Sequence, residues 1–403
     1  MRKKKNTNIP IAKTFLTKNE INSVVKPLNS GWLVQGQYVQ EFENKFSKYF
    51  SVKHSISVNS WTSGLITAIG AIGIEPGDEV ILSPWTMSAC AASILHYGGI
   101  PIFADIDEKT FNIDPNSIIK KITDKTKALI VIDIFGHPAD YNKIFKISKK
   151  HKLRVISDSA QSIGSKYKGK YTGTFSDIGG FSFNCHKHIN TGEGGMLVTN
   201  NSILAKKMKL IRNHAEAVLK NSKIKDYSNM IGYNFRMGEM EAAVGIEQLK
   251  KLKNIIKKKR MLAKKLTDGL SKLKGINTPY VNKNCTHVYY VYGITLNSKI
   301  INVSRDKIYK ALIKEGVPCR KDYELLYLYP LFKKKISYGN NQFPWNINSK
   351  IKSYKYFKGM CPNAEKILKN YIGIGFCIYD FTPNDISLII KAFRNVWKKF
   401  KII

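Results

Sequence analysis

Acidic residues are scarce in this chain of 403 residues: Asp and Glu number 29 against 66 Lys and Arg, for a formal charge of +37 at pH 7. Such an imbalance ordinarily raises nucleic acid or an anionic membrane as a partner. The lysines run along the whole length, as in Lys149-Lys-His-Lys, Lys206-Lys-Met-Lys, Lys257-Lys-Lys-Arg and Lys333-Lys-Lys, and no aromatic-rich RNA motif or zinc finger accompanies them. The expectation is diffuse charge on solvated faces, with no specific nucleic-acid partner and a general pull on anionic substrates.

Paired cysteines are missing too. Cys90, Cys185, Cys285, Cys319, Cys361 and Cys377 are scattered without a C-x-x-C pair or metal-ligand spacing. They read as free thiols in a reducing compartment, with no metal. No apolar run approaches the roughly 18 residues that a membrane span needs. The start, Met1-Arg-Lys-Lys-Lys-Asn-Thr-Asn, is basic with no apolar segment behind it. A cytoplasmic protein without membrane insertion is expected. Internal repeats and low-complexity linkers are also absent, and the length suffices for two domains with a substantial core.

What is present is an alternation of short β-branched runs with longer helix-patterned stretches between about residues 54 and 200. The runs are His54-Ser-Ile-Ser-Val, Glu79-Val-Ile-Leu-Ser, Ile100-Pro-Ile-Phe-Ala, Ala128-Leu-Ile-Val-Ile-Asp, Arg154-Val-Ile-Ser-Asp, Gly180-Phe-Ser-Phe and Gly195-Met-Leu-Val-Thr. Near-continuous apolar strands separated by helices indicate an α/β domain whose largely parallel sheet is covered on both faces. Glu75-Pro-Gly-Asp and Gly136-His-Pro-Ala-Asp punctuate the pattern. A long helix starts near Met237, with Met240, Ala243, Ile246, Leu249, Leu252 and Ile256 at helical spacing. Beyond Gly275 come a strand, Val288-Tyr-Tyr-Val-Tyr-Gly-Ile-Thr-Leu, a helix over 304–315, a loop-rich region and a last helix from Pro383. The division expected is a large α/β domain over 1–250 and a small C-terminal α+β domain over 251–403.

Three segments carry chemistry. Arg154-Val-Ile-Ser-Asp158-Ser-Ala-Gln161 is an apolar strand that ends in a carboxylate, at the strand end where open α/β sheets hold their ligands. In Phe181-Ser-Phe-Asn-Cys-His-Lys187-His-Ile-Asn-Thr-Gly-Glu-Gly-Gly195, a lysine lies between two strands beside glycines that let the backbone turn tightly and leave room for a flat ring. A lysine amine held in such a site can act as nucleophile and then as proton shuttle. In Ser57-Val-Asn-Ser60-Trp61-Thr62-Ser-Gly, a strand ends in hydroxylated residues ahead of a helix, whose first amides can cradle phosphate. Taken singly these are also an Asp in a turn or helix cap, a solvated lysine and an ordinary N-cap.

Taken in order, the segments resemble the DegT/DnrJ/EryC1/StrS family of pyridoxal-phosphate-dependent sugar aminotransferases, nearly end to end. The resemblance begins at Ser30-Gly-Trp-Leu-Val-Gln-Gly-Gln-Tyr-Val-Gln-Glu-Phe-Glu and continues through Gly77-Asp-Glu-Val-Ile, Asp158-x-x-Gln161 and the lysine before Gly-Glu-Gly-Gly. Further on come Ile211-Arg-Asn-His214, Gly232-Tyr-Asn234-Phe-Arg236-Met-Gly-Glu-Met-Glu-Ala-Ala and Cys361-Pro-Asn-Ala-Glu. It implies fold type I, the aspartate-aminotransferase type, with a large mixed, mostly parallel sheet.

The resemblance implies that Lys187 holds pyridoxal 5'-phosphate as a Schiff base and moves the proton between substrate and cofactor carbons. Asp158 would pair with the pyridine nitrogen, and Gln161 would lie against the ring. Ser182, with Ser60, Trp61 and Thr62, would hold the phosphate, joined by Asn234 from a partner subunit in a homodimer with composite sites. The reaction implied is amino transfer from L-glutamate, by way of pyridoxamine phosphate, to a nucleotide-linked 4-keto-6-deoxy sugar, for a surface polysaccharide or glycan.

Two departures stand out. Trp61 replaces the family's usual glycine, and Met87 stands where an aromatic usually stacks on the cofactor. Trp85, Trp61 or Met87 could supply the ring face. His186 and His188 flank the lysine, and His287 and Arg320 are candidate substrate contacts from the small domain. In some relatives a histidine replaces the lysine and the reaction is a sugar dehydration, so the lysine favours transamination. A dehydratase and a non-catalytic regulator that binds the cofactor are the competing readings.

Overall fold

The computed structural model describes residues 16–215 and 229–402. The basic start of the chain, Met1 to Asn8, lies outside them. The strands of the large sheet are β1 (His54–Val58), β2 (Glu79–Leu82), β3 (Ile100–Phe103), β4 (Thr126–Ile132) and β5 (Arg154–Asp158), then, after a short hairpin of β6 (Lys166–Tyr167) and β7 (Lys170–Tyr171), β8 (Ile178–Ser182) and β9 (Gly195–Thr199). Their order is β1-β9-β8-β5-β4-β2-β3. Strands β3, β2, β4, β5 and β8 pair in parallel, and β9 runs antiparallel to both β8 and β1. The continuous burial of β2, β8 and β9 is what a sheet covered on both faces requires.

Helices α1 (Lys18–Ser30), α2 (Gln37–Phe50), α3 (Trp61–Ala71), α4 (Ser88–His96), α5 (Pro115–Lys121), α6 (Tyr141–His151) and α7 (Ser202–Arg212) flank this sheet and lead to α8 (Glu239–Leu270). The inner stripe of α8 buries Ala243, Ile246, Leu249 and Leu252, at the spacing read from the sequence. Its first residue, Glu239, is buried and accepts hydrogen bonds from the amides of Gly36 (3.0 Å), Tyr38 (2.9 Å) and Val39 (2.8 Å). A carboxylate there satisfies amides that the first turn of α2 cannot satisfy itself.

Strand β10 (Ile276–Asn277) opens a second sheet, and β11 (Cys285–Thr286) pairs back with β6. Strands β12 (Tyr292–Leu296), β13 (Cys319–Arg320) and β14 (Tyr371–Ile374) complete the order β10-β12-β14-β13. Helices α9 (Arg305–Lys314) and α13 (Pro383–Lys399) pack on it, around Ile308, Leu312, Ile386, Phe393 and Trp397. The segment between β13 and β14 carries α10 (Pro330–Lys333), α11 (Ser349–Ser353) and α12 (Pro362–Asn370). It returns to the large-sheet core, where Leu326, Phe332, Trp345, Tyr356 and Cys361 are buried.

The strand expected from Val288 begins only at Tyr292. The amides of Val288 and Tyr290 instead donate to the carbonyls of Gly136 (2.9 Å) and Phe135 (2.8 Å) in the turn after β4. Those bonds hold residues 288–290 against the large domain. Gly136 permits the approach: its φ is +97°, and a Cβ there would stand 2.9 Å from the Tyr289 nitrogen. Among the described residues, no helix is long and apolar enough to cross a membrane.

Candidate active site

Strand ends and one helix start converge at the carboxyl edge of the large sheet, the edge where open α/β sheets bind ligands. Asp158 closes β5 and Ser182 closes β8, while Ser60 follows β1 and caps α3. Asp158 pairs with Gly180, Ser182 with Gly195, and Gly195 with Val58. One strand across and two residues along sets the Cα atoms of Asp158 and Ser182 roughly 8 Å apart.

At the start of α3, the Ser60 hydroxyl accepts the Ser63 amide at 3.1 Å and the Ser60 carbonyl accepts that of Gly64. The amides of Trp61 and Thr62, which precede these two, have no acceptor within the helix and suit an anion. Thr62 is exposed. Across from it, the Ser182 hydroxyl accepts the Asn184 amide at 3.4 Å.

Asp158 is buried and held from three sides. Its Oδ1 accepts the Trp61 indole Nε1–H at 2.9 Å and the Ala160 amide at 3.0 Å, and its Oδ2 accepts the Cys90 thiol at 3.1 Å. Burial raises its carboxyl above the usual range; the Cys90 and Ala160 bonds, the charge of Lys187 and the Trp61 bond oppose that shift. Burial and the adjacent carboxylate push the Cys90 thiol well up, so it remains a proton donor.

Lys187 lies in the β8–β9 connection. Its amide donates to the Asn184 carbonyl at 2.9 Å, and the Asn184 side chain donates to Glu193 at 2.8 Å, so Glu193 serves to close the loop. The Lys187 Nζ stands 4.4 Å from the centroid of the Tyr290 ring. Gln161 accepts the Phe135 amide at 2.8 Å, and Phe135 in turn accepts the Tyr290 amide. A continuous chain of bonds thus ties Gln161 to the residue beneath Lys187. Asn234 is exposed, and its carbonyl accepts the Asn59 side chain at 3.4 Å, beside the cap of α3.

The candidate ring faces separate clearly. Trp85 is fully buried, stacked on Tyr323 at 4.8 Å and 11°. Trp61 is buried with its indole turned to Asp158. Met87, at the start of α4, is 64% exposed and open to a ligand.

The histidines separate as well. His186 is exposed. His188 is buried, with Nε2 at 2.9 Å from the Val288 carbonyl, and His287 is buried and stacked on Tyr289 at 4.0 Å. Both therefore belong to the junction between the domains. Arg320 is exposed on β13.

Sequence reading passed over Cys90, Tyr290 and Tyr323. Cys90 lies three residues after Met87 on α4, one turn along the same helix face, which is the signal that could have found it. Tyr290 was concealed in an aromatic run that reads as strand, and Tyr323 lies in a loop with no pattern.

The sequence profile described as the DegT/DnrJ/EryC1/StrS aminotransferase family matches residues 15–370. GDP-perosamine synthase of Escherichia coli O157:H7 is 35% identical over 328 residues, 81% of this chain and 88% of that protein. The spore coat polysaccharide biosynthesis protein of Bacillus subtilis strain 168 is 33% identical over 355 residues, 86% of this chain and 91% of that one. A GDP-4-keto-6-deoxy-D-mannose 3-dehydratase of Yersinia pseudotuberculosis is 30% identical over 334 residues, 78% and 84% of the two chains. Among solved structures, an aminotransferase from Psychrobacter cryohalolentis superposes with a TM-score of 0.85 at 29% identity, covering 97% of this chain and all of that one.

Proposed function

Because this chain belongs to the DegT/DnrJ/EryC1/StrS aminotransferase family, and so is a pyridoxal-phosphate-dependent enzyme of fold type I, we propose that it transfers the amino group of L-glutamate to a nucleotide-linked 4-keto-6-deoxyhexose. The product would supply a surface polysaccharide or glycan. The observation that carries the reading is that Asp158, the strand end that leads into the Lys187 loop, and the α3 N-terminus stand together on one edge of the large sheet.

The residues present fit pyridoxal phosphate. A buried carboxylate suits a protonated ring nitrogen, and free first-turn amides with two serine hydroxyls suit a phosphate at the other end. A Cβ on Gly195 would stand 2.9 Å from the Trp61 nitrogen, so the start of α3 closes on β9 only over a glycine. The cofactor, when bound, supplies an electron sink for the carbon that loses a proton.

In this reading Asp158 keeps its charge toward the ring nitrogen. Ser60, Thr62, Ser182 and the first-turn amides would hold the phosphate, and Gln161 and Met87 would lie against the ring. Lys187 would hold the cofactor through its side-chain amine, and that amine would carry the proton at the reacting carbon. Tyr290, beneath the amine, orients it. His186 and Arg320 border the open side, where a sugar would enter.

A homodimer belongs to the proposal, with Asn234 of the partner subunit reaching the phosphate. Ile21, Val25 and Leu28 on α1, then Trp32, Leu33 and Val34, form an exposed apolar patch of the kind that marks a protein interface.

The dehydratase relative keeps a second reading in view. Lysine at 187 opposes it, since the resemblance implies that histidine takes that place in some relatives that dehydrate. The purified enzyme, incubated with L-glutamate and GDP- or UDP-linked 4-keto-6-deoxyhexoses, should yield 2-oxoglutarate and an amino sugar in equal amounts. Ammonia with a deoxysugar would establish dehydration instead, and no product across the panel would leave a regulator.

A further inference from the structure

Trp61 stands where the resemblance implies that the family usually has glycine, and the chain is built around its side chain. The indole crosses Gly180, where a Cβ would lie 1.8 Å from Cη2 and 1.9 Å from Cζ3, and Gly64, where a Cβ would lie 2.6 Å from Cε3. Neither glycine has a positive φ, so backbone conformation requires neither. Glycine is unfavourable within a strand and within a helix. Two such glycines, on β8 and α3, keep open the path along which the indole reaches Asp158. Gly180 is also the residue paired with Asp158 across the sheet.

We propose that Trp61 is a positioning residue for the cofactor: its indole N–H fixes one oxygen of Asp158, setting the orientation and the ionised state in which that carboxylate meets the ring nitrogen. The inference rests on the proposed pairing of Asp158 with that nitrogen. Cys90 holds Oδ2 and the Ala160 amide shares Oδ1, so Trp61 supplies the N–H side-chain donor among the three. Its own backbone amide lies in the first turn of α3, at the phosphate end. One rigid side chain therefore ties the anchor for the ring nitrogen to the anchor for the phosphate, a link that glycine could not provide.

Loss of the indole N–H should weaken cofactor binding and raise the pH at which binding fails. The titratable groups that face Asp158 are Cys90 from α4, Lys187 from the β8–β9 loop and, behind it, Asp133 and Tyr141. None is altered by a change at residue 61, so a shift in the acid limb reports on the lost bond.

Two variants of the full chain test this. Trp61→Phe keeps an aromatic plane, and replacement of Trp61 by β-(3-benzothienyl)alanine keeps the bicyclic shape while lacking the N–H. Pyridoxal-phosphate dissociation constants are measured from the visible band between pH 5 and 9. Both variants should bind about tenfold more weakly, as expected for one hydrogen bond to a charged group, and their acid limb should move up by about one pH unit. If Trp61→Phe fails to fold, the benzothienyl variant decides. Wild-type affinity and an unmoved acid limb in that variant, whatever its melting temperature, would reduce Trp61 to packing. A wild-type protein without any visible band on adding pyridoxal phosphate would overturn the cofactor assignment itself, and the inference with it.

Discussion

The ammonium of Lys187 stands 4.4 Å above the centroid of the Tyr290 ring, although 103 residues separate the two in the chain (290 − 187). The contact exists because residues 288–290 bond to the turn after β4 rather than extend the small sheet. A residue from the entry to the small domain thereby orients the amine of the large one.

Lys187→Ala should abolish both the visible absorption of bound cofactor and turnover while leaving the melting temperature near that of the apoprotein. Tyr290→Phe keeps the ring face, whereas Tyr290→Leu removes it. At ~1 to 2 kcal/mol for a partly desolvated cation–π contact, the leucine variant should lose roughly 5- to 30-fold in kcat and the phenylalanine variant little. Retention of activity and of the band in Lys187→Ala would show that another residue holds the cofactor.

Gly180→Ala should be severely destabilising, since the added methyl would sit 1.8 Å from the Trp61 ring. In a Trp61→Gly background the same substitution should cost far less, and a double-mutant cycle by urea denaturation should give a coupling of about 2 kcal/mol or more. Simple additivity would mean that the indole lies elsewhere in solution.

Glu239→Ala should leave three amides of the α2 start without an acceptor, in a buried setting. A loss of about 3 kcal/mol is expected from this change, read as a lower urea midpoint. Glu239→Gln, which retains one acceptor oxygen, should lose less. Equal midpoints for the two would argue against the cap.

Three buried histidines gather at the domain junction, and burial lowers each below its ordinary value: His137 to about 4, His188 to about 3, and His287 well down, helped by the neighbouring imidazoles and Arg260. Because the folded values lie below the unfolded one near 6.5, the unfolded chain binds protons first. Stability contributed by the neutral rings is thus complete above pH ~6.5 and falls as the pH drops toward the folded values, by ~1.4 kcal/mol per pH unit for each ring. Melting curves of the wild type should decline steeply from pH 6.5 to 4.5, and His188→Asn should flatten the decline. An equal slope in the variant would assign the acid sensitivity to other groups.

Much of this protein is local in origin. The apolar runs of β1, β2, β3, β5 and β9 could be read directly, because a strand buried on both faces needs an unbroken stretch of branched residues. The inner face of α8 followed from spacing, and the turn-forming glycines beside Lys187 marked it as a loop lysine. Asp158 could be placed because a strand end is a local feature, and the succession of such segments carried the family.

The contacts that complete the site could not be read in the same way. Trp61 reaches Asp158 across 97 residues and Cys90 across 68, and although Gly64 lies one turn beyond Trp61, nothing near it in the sequence indicates that the distant Gly180 also clears its path. Residues 288–290 have strand-like composition, yet the amides of Val288 and Tyr290 bond to carbonyls in the turn after β4, and backbone hydrogen bonding of that kind decides the outcome. Sequence by itself determined which groups the protein has for its chemistry and on which edge they stand. Tertiary structure decided which donors hold Asp158 and which ring lies beneath Lys187, because those choices depend on packing between segments that meet only when the sheet has formed.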